Sequence, residues 1–304
     1  MTLVADASRS LLLLGTVAFF VLWERRLMGA AQGRMGPSRA GRWGLLQPLA
    51  DGAKLLSKGR IRPARGEADA FFAWACVALS LPLLGWSFLP WAGREEGGSA
   101  ASVLLSSAAA TLMLWAAASG ARAAGSGYAL LGAVRGAVQG LSVELAWMLS
   151  LVPALLARES LAVPCAAGSD PASMSPGSWG FPLLGALGAL LLAEGHRPPF
   201  DLMEGESELV SGHSVEHAGF PFAGAFLAEQ AAGWMACAVL AAVWVSPLGD
   251  PSWFFATGTA AFFLLASRLP LPRARADLLA DRLWKAAFPA ALGAACAGFG
   301  AFAR

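Results

Sequence analysis

Acidic residues and histidines are concentrated at Ala193–Gln230, AEGHRPPFDLMEGESELVSGHSVEHAGFPFAGAFLAEQ. This stretch holds seven of the chain's 20 carboxylates and all three of its histidines. Apolar runs at 179–194 and 219–246 flank it on both sides. Ionisable groups at membrane depth cost about 2.5–3.5 kcal/mol each on insertion scales and are usually kept for function. The stretch therefore predicts a functional polar segment between two membrane-spanning helices.

The composition supports a membrane protein along the whole chain. Hydrophobic residues make up 57% of the 304 residues and charged residues only 14%, whereas soluble domains are about 25% charged. We expect a single integral membrane domain over residues 1–304. The start of the chain lacks the basic region of a secretory signal, so its first apolar run is taken as a span. The four cysteines lie singly, which predicts no metal site and no redox centre within this chain.

Eight apolar runs are long enough to cross about 30 Å of hydrocarbon. They predict an all-α polytopic fold with eight transmembrane helices, at about 10–24, 68–91, 100–120, 128–157, 179–194, 219–246, 252–268 and 277–302. The segment 25–65 carries ten Lys and Arg, so the positive-inside rule places it inside. The same orientation places the acidic loop, about 194–218, inside and both termini outside.

Residues 44–58, GLLQPLADGAKLLSK, predict a short amphipathic helix after the first span. Leu45, Leu49 and Leu56 recur near helical spacing, while Asp51 and Lys54 lie on the opposite face. Such a helix lies in the membrane interface. It is either a surface anchor or a lip over which a lipid-like substrate enters.

Two sets of ionisable residues allow both a structural and a proton-carrying interpretation. Arg135, Gln139 and Glu144 in the fourth span should face the bundle interior, as a buried network or as part of a proton file. The clustered acids of the loop are either solvated or raise one another's pKa enough to hold protons near neutral pH.

The three histidines allow a further interpretation, a zinc-protease site. His213, Glu216 and His217 match the HxxEH pattern of some zinc proteases, but five residues are a weak match and require a helix. Polar histidines without a special role are the usual case, and a pH-sensitive role is the other option. Neither a phosphate-binding loop nor a basic aromatic patch for nucleic acid is present in the sequence.

Five ordered motifs resemble the quinone-site membrane subunit of respiratory complex I (NADH:quinone oxidoreductase), the NuoH family. They are ERRLMGAAQGRMGP at 24–37, GLLQPLADGAKLL at 44–56, YALLGAVRGAVQGLSVE at 128–144, the acidic stretch itself, and LPRARADLL followed by WK at 271–285. His196 and His217 depart from the residues common in that family. The resemblance covers about residues 23–285.

The resemblance implies two sites. A chamber would admit quinone from the bilayer, with walls that include Trp23, Arg25, Arg34, Asp51, Phe222 and Phe226. An acidic path would couple quinone reduction to proton translocation through Glu144, Glu194, Arg197, Asp201, Glu204, Glu206, Glu208, Glu216 and Glu229. Supporting residues would be Arg135, Gln139, Arg273, Arg275 and Asp277.

The resemblance also implies that this chain binds no cofactor and transfers no electrons itself. Quinone would be the substrate, and partner complex I subunits would hold the flavin and the iron–sulfur clusters. Small membrane subunits and antiporter-like subunits would lie beside it in an energy-coupling membrane, the bacterial plasma membrane or the mitochondrial inner membrane. Two alternatives stay open: the related subunit of a membrane-bound [NiFe] hydrogenase or ferredoxin-linked complex, and a stand-alone ion-coupled transporter.

Overall fold

A computed structural model describes residues 2–59, 61–63, 66–89, 102–157, 180–244, 251–293 and 296. Within these ranges the chain forms helices, turns and loops, and no strand. The α-helices, numbered in chain order, are α1 Thr2–Ala31, α2 Gln47–Ser57, α3 Ala68–Phe88, α4 Ser102–Ala124, α5 Gly127–Ala157, α6 Gly180–Glu194, α7 Glu206–Leu209, α8 Phe220–Trp244, α9 Pro251–Ser267 and α10 Ala276–Arg282. A π-helical turn, Leu283–Ala287, continues α10.

The all-α fold class is confirmed, and helices occupy the described parts of every predicted span. Among the described residues, three helices are long and apolar enough to cross a membrane by length and composition: Ala68–Phe88, Val103–Ala124 and Phe220–Val243. Crossing by the other five predicted spans stays a prediction. The predicted spans reach beyond the described residues at 90–91, 100–101, 179, 245–246 and most of 294–302, and Cys165 also lies outside them.

Helix α8 is at the centre of the bundle. It packs against α1, α2, α3, α4, α5, α6 and α9, because small apolar residues such as Ala228, Ala231 and Ala242 let neighbouring helices approach closely. The main core collects large side chains around α8, among them Trp86, Trp147, Leu190, Met235 and Leu264. This packing places the ends of α1, α6 and α8 beside one another, where the acidic loop lies.

The acidic loop lies directly on α5 because two glycines allow it. A Cβ added at Gly132 of α5 would lie 2.7 Å from the Met203 carbonyl oxygen and 2.8 Å from the His213 nitrogen. Gly212 has a φ of +51°, and a Cβ there would lie 2.0 Å from the same Met203 oxygen. A side chain at Gly132 would separate the loop from the helix, and a side chain at Gly212 would separate two parts of the loop from each other.

Helix α2 packs on α1 and α8, yet its leucines are open to the surroundings. Leu49 is 69% exposed and Leu56 is 67% exposed. Pro48 lies in the first turn, where its missing N–H has no intrahelical partner to lose. A helix is therefore present within the predicted segment, and the described part of the chain leaves Leu49 and Leu56 uncovered. Its place in the membrane interface stays a prediction.

Candidate functional site

A cavity of about 610 Å³ opens between α1, α2 and α8. Most of its walls are apolar, and its polar groups come from the end of α1 and from α2. The lining residues are Leu14, Ala18, Val21, Arg25, Pro48, Asp51, Gly52, Lys54, Leu55, Lys58, Phe222, Ala223, Phe226 and Leu227. We call it the α1–α2–α8 cavity.

Charged groups form one side of this cavity. The Nη1 of Arg25 donates to Oδ2 of Asp51 at 2.5 Å, and Nε2 of Gln47 donates to the other carboxylate oxygen at 2.9 Å. Arg25 and Asp51 are 46% and 34% exposed, so the pair is open to a ligand. On α8, the rings of Phe222 and Phe226 are stacked, with centroids 6.3 Å apart.

Four of the six predicted quinone-site residues line this cavity: Arg25, Asp51, Phe222 and Phe226. Trp23 lines a separate groove of about 410 Å³ with Phe20 and Trp234. Two residues along a helix correspond to a rotation of about 200°, so Trp23 and Arg25 face nearly opposite directions. Arg34 lies beyond the end of α1, beside another open depression, and its Nε donates to Oε1 of Gln32 at 2.7 Å.

Glu24, which lies between Trp23 and Arg25 on α1, is the centre of a buried ion cluster. Its side chain is 9% exposed, and its Oε1 accepts a hydrogen bond from Nη1 of Arg197 at 3.0 Å and a second from Arg268. The two arginines come from the loop after α6 and from the end of α9. Glu24 therefore joins three separate parts of the chain, as a carboxylate with two cationic partners.

The segment after α9 holds the first half of the acidic loop in place. Nη2 of Arg273 donates to the Asp201 carbonyl at 2.6 Å, and the Ala274 N–H donates to the Pro199 carbonyl at 2.9 Å. Burial raises the pKa of the Asp201 carboxyl, and the charge of Arg273 partly opposes this. Arg275 and Asp277 are 77% and 75% exposed, so they take no part in this contact.

The acids of the predicted proton path form two interacting groups, one around Glu194 and one around Glu229. Glu194 is buried and interacts electrostatically with Glu144. Glu229 of α8 interacts with Glu204, Arg197, Asp201 and Glu24.

The remaining acids lie away from these groups. Glu208 is 46% exposed and forms an ion pair with Arg135 of α5. Glu216 is half-buried in the turn before α8. Glu206 begins α7, and its side chain lies outside the described part of the structure.

The three polar residues of α5 do not share one network of direct contacts. Arg135 binds Glu208, and Nε2 of Gln139 donates to the Ala193 carbonyl at 2.8 Å. Glu144 lies near the Thr111 side chain of α4. The expectation that all three face the interior holds for Gln139, which is 3% exposed, but is wrong for Arg135, whose side chain is 35% exposed.

The three histidines of the acidic loop line one cavity. Nδ1 of His196 is 2.7 Å from the Glu194 carbonyl oxygen, and the His213 and His217 ring centroids are 5.9 Å apart. Burial lowers the pKa of His196, that of His213 to about 3 and that of His217 to about 4. His213 lies in a 3₁₀ turn, so the helix that the HxxEH interpretation requires is absent at this position. Among the described residues, no three His, Cys, Asp or Glu side chains are arranged so that they could hold a metal ion.

Glu24 and Arg268 are the functional candidates that sequence reasoning missed. The sequence did contain a signal for Glu24. It is a lone acid that follows the apolar run of a predicted span, and a charge at that position needs a partner. Its partners are 173 and 244 residues away. No periodicity or spacing in the sequence points to contacts at that separation.

The chain is similar to known proteins along most of its length. Residues 7–298 match the sequence pattern of the NADH dehydrogenase family. NADH-ubiquinone oxidoreductase chain 1 of Metridium senile is 35% identical over 92% of this chain and 87% of its own length. The corresponding figures are 35%, 92% and 85% for the H subunit of NADH-quinone oxidoreductase of Polaromonas sp.. For NADH-ubiquinone oxidoreductase chain 1 of Strongylocentrotus purpuratus they are 36%, 93% and 89%. The chain therefore belongs to the NADH dehydrogenase family and is similar throughout to subunits of NADH-quinone oxidoreductase.

Proposed function

We propose that this chain forms the quinone entry chamber of a proton-translocating NADH:quinone oxidoreductase and links quinone reduction to proton movement. The observation that carries the proposal is the α1–α2–α8 cavity, which combines apolar walls with a charged side. Ligand sites commonly pair an apolar lining with a few placed polar groups. In this chain, the polar groups lie where α2 meets α1.

The cavity suits the two parts of a quinone. The isoprenoid tail needs apolar walls, which Leu14, Val21, Leu55 and Leu227 supply. The head group gains electrons and then protons, and cations stabilise the negative charge that develops first. Arg25, Lys54 and Lys58 are the cations of the lining. The stacked Phe222 and Phe226 rings offer a flat apolar surface for the head group.

The acidic path begins beside this chamber. Arg25 borders the cavity while its neighbour Glu24 binds Arg197 and Arg268 in the interior. From there, Glu229 interacts with Glu24, Arg197, Asp201 and Glu204, and Glu194 interacts with Glu144. At an effective dielectric constant near 20, charges about 4 Å apart interact by about 4 kcal/mol. A change of charge in the chamber would therefore alter proton occupancy along the acids.

The chain transfers no electrons in this scheme. A neighbouring iron–sulfur subunit reduces the quinone, and the flavin lies in another partner. All eight predicted spans cross an energy-coupling membrane with both termini outside, and α2 lies in the inner interface as the lip of the chamber. The exposed Leu49 and Leu56 of α2 support this position, because apolar side chains of an interfacial helix point into the acyl region.

The chamber is tested with Phe226→Trp in the assembled membrane complex. The larger ring occupies cavity volume, so we expect the KM for a long-tailed quinone to rise about tenfold, equivalent to about 1.4 kcal/mol. Phe255→Trp is the matched control, because Phe255 on α9 is 76% exposed and lies away from the cavity. Equal KM values for both variants would contradict the chamber.

The acidic path is tested with Glu204→Gln and Glu229→Gln together. Quinone reduction and vesicle acidification should both fall at least tenfold, because neutral amides cannot carry the proton. The control is Asp281→Asn, which removes an acid that is 52% exposed and paired with Lys285 at 2.6 Å. Unchanged proton translocation in the double variant would remove the path from the proposal.

A further inference from the structure

The three histidines border a second cavity, of about 20 Å³, under the acidic loop. Helices α3 and α4 supply apolar walls to it. The loop supplies His196, His213 and His217, and α8 supplies Glu229. Among the described lining residues, these four are the titratable ones.

Three ring nitrogens at this cavity are buried without a hydrogen-bond partner among the described residues: His196 Nε2, His213 Nδ1 and His217 Nδ1. His196 and His213 are only 5% and 6% exposed. Since a carbonyl oxygen only accepts, the contact of His196 Nδ1 with the Glu194 carbonyl places the ring proton on Nδ1. Nε2 of the neutral ring then carries a lone pair, on a residue that lines the cavity.

The size and chemistry of the cavity match one water molecule. A buried water needs about 10–15 Å³ of accessible space and two to four polar partners, and the cavity holds about 20 Å³. Water both donates and accepts, so it satisfies ring nitrogens in either tautomeric role. An organic ligand is too large for this space.

We propose that this cavity binds one ordered water that bridges the histidine rings and Glu229, and that protons pass through it between the loop and α8. This inference rests on the proposed function of the acidic path. In each transfer the Glu229 carboxylic acid gives its proton to the water, and the water gives a different proton to the lone pair of one ring nitrogen, so its own composition is unchanged. The return transfer follows the same steps in reverse, from the protonated ring through the water to the Glu229 carboxylate.

The charges around the cavity are consistent with this role. Burial keeps the pKa of His213 near 3 and that of His217 near 4, so the rings are neutral at physiological pH and each keeps one acceptor. Glu204, Asp201, Glu24 and Arg197 act on Glu229 from outside the cavity. The walls from α3 and α4, among them Trp74, Ala78 and Ala116, carry no charge.

The first test is a high-resolution map of the complete membrane complex. We expect a water peak within about 3.2 Å of at least two of the three ring nitrogens. A peak-free cavity, or one closed by rearranged side chains, would overturn the proposal.

The second test displaces the water without removing any ionisable group. Ala116→Val adds two carbons at a cavity wall, and Ala108→Val makes the same change on an exposed face of α4. We expect coupled turnover and proton translocation to fall about fivefold in Ala116→Val, with the quinone KM unchanged and the peak lost. Wild-type rates in Ala116→Val with the peak absent would overturn the proposal.

If Ala116→Val fails to assemble, two substitutions of His213 test the proposal instead. His213→Phe removes the polar wall and should lower turnover as Ala116→Val does. His213→Gln still binds a water and should retain more of the activity. Equal losses in both would point to a packing role for His213. Intact turnover in these variants, with turnover lost in Glu204→Gln/Glu229→Gln, would reject the water relay alone.

Discussion

Glu24 and Arg25 are neighbours on α1, but their side chains lie in two regions that differ in their exposure to solvent. Arg25 is half-exposed at the α1–α2–α8 cavity, where its pair with Asp51 is open to a ligand. Glu24 is buried among two arginines and shielded from water. A charge in the open pair interacts weakly because solvent screens it. A charge in the buried cluster interacts strongly and cannot be left alone. One helix therefore joins a site suited to ligand exchange with a site suited to transmitting charge.

The largest effect is expected from Glu24→Gln. Losing the carboxylate leaves Arg197 and Arg268 without their buried anion, and breaking a buried pair costs about 3–5 kcal/mol. The measurement is thermal unfolding of the purified complex in detergent, together with turnover. Asp277→Asn serves as the control, because that acid is 75% exposed. Similar melting temperatures for the two variants would show that the buried cluster is no stronger than a surface pair.

A smaller loss is expected from acidification of the histidine region. The pKa of His213 is lowered from 6.5 to about 3, so the unfolded state takes up a proton first as the pH falls. The stability contributed by the neutral ring is complete above pH 6.5 and is lost progressively from there down to about pH 3. Between about pH 7 and about pH 5 the loss is about 2 kcal/mol. Melting temperatures at these two pH values measure it, and His213→Gln should show a shallower dependence.

Breaking the Arg25–Asp51 pair should lower the stability less than Glu24→Gln does, and it should lower the affinity for quinone. Asp51→Asn removes a half-exposed partner of Arg25, for which we expect less than about 1 kcal/mol of stability. The quinone KM should rise about threefold, because Arg25 loses the anion that orients it. Steady-state kinetics with a short-tailed and a long-tailed quinone would measure this. A melting temperature as low as that of Glu24→Gln would erase the distinction between the two regions.

The smallest effect is expected from Arg275→Gln. Its side chain is 77% exposed and lies 3.9 Å from Asp277, so stability should change by less than about 0.5 kcal/mol. Arg273→Gln, two residues earlier, loses a 2.6 Å hydrogen bond to the Asp201 carbonyl and should lower turnover clearly. Turnover assays on both variants separate the two arginines of this segment.

Four residues of the cavity lining were predicted from the resemblance to the NuoH family, and local spacing is consistent with them. Asp51 lies on the polar face of a short amphipathic helix, and Phe222 and Phe226 are one helical turn apart, so both spacings are visible in the sequence. Trp23 lies apart from this lining although it is close to Arg25 in the sequence, because residues two apart on a helix face nearly opposite directions. On α1, the helical rotation turns it toward Phe262, with ring centroids 5.7 Å apart.

The acidic cluster shows where sequence reasoning ends. The density of carboxylates between two apolar runs marked the loop as functional, but the pairing of each acid depends on which helix end approaches it. Glu208 turns outward to Arg135 while Glu229 interacts with Glu204 and Asp201. Alternation along the chain could not distinguish these outcomes, because the loop has no regular repeat that would set side-chain directions.

The all-α fold class, the approximate positions of the long helices and the location of the polar segment were predictable from the sequence alone. These follow from the number and length of apolar runs, since the cost of burying charge in hydrocarbon applies to each segment separately. Only the tertiary structure decided that Glu24 binds Arg197 and Arg268, and that three histidines meet Glu229 around one small cavity. Such contacts depend on how close-packed helices bring distant residues together, and that geometry is a property of the whole bundle.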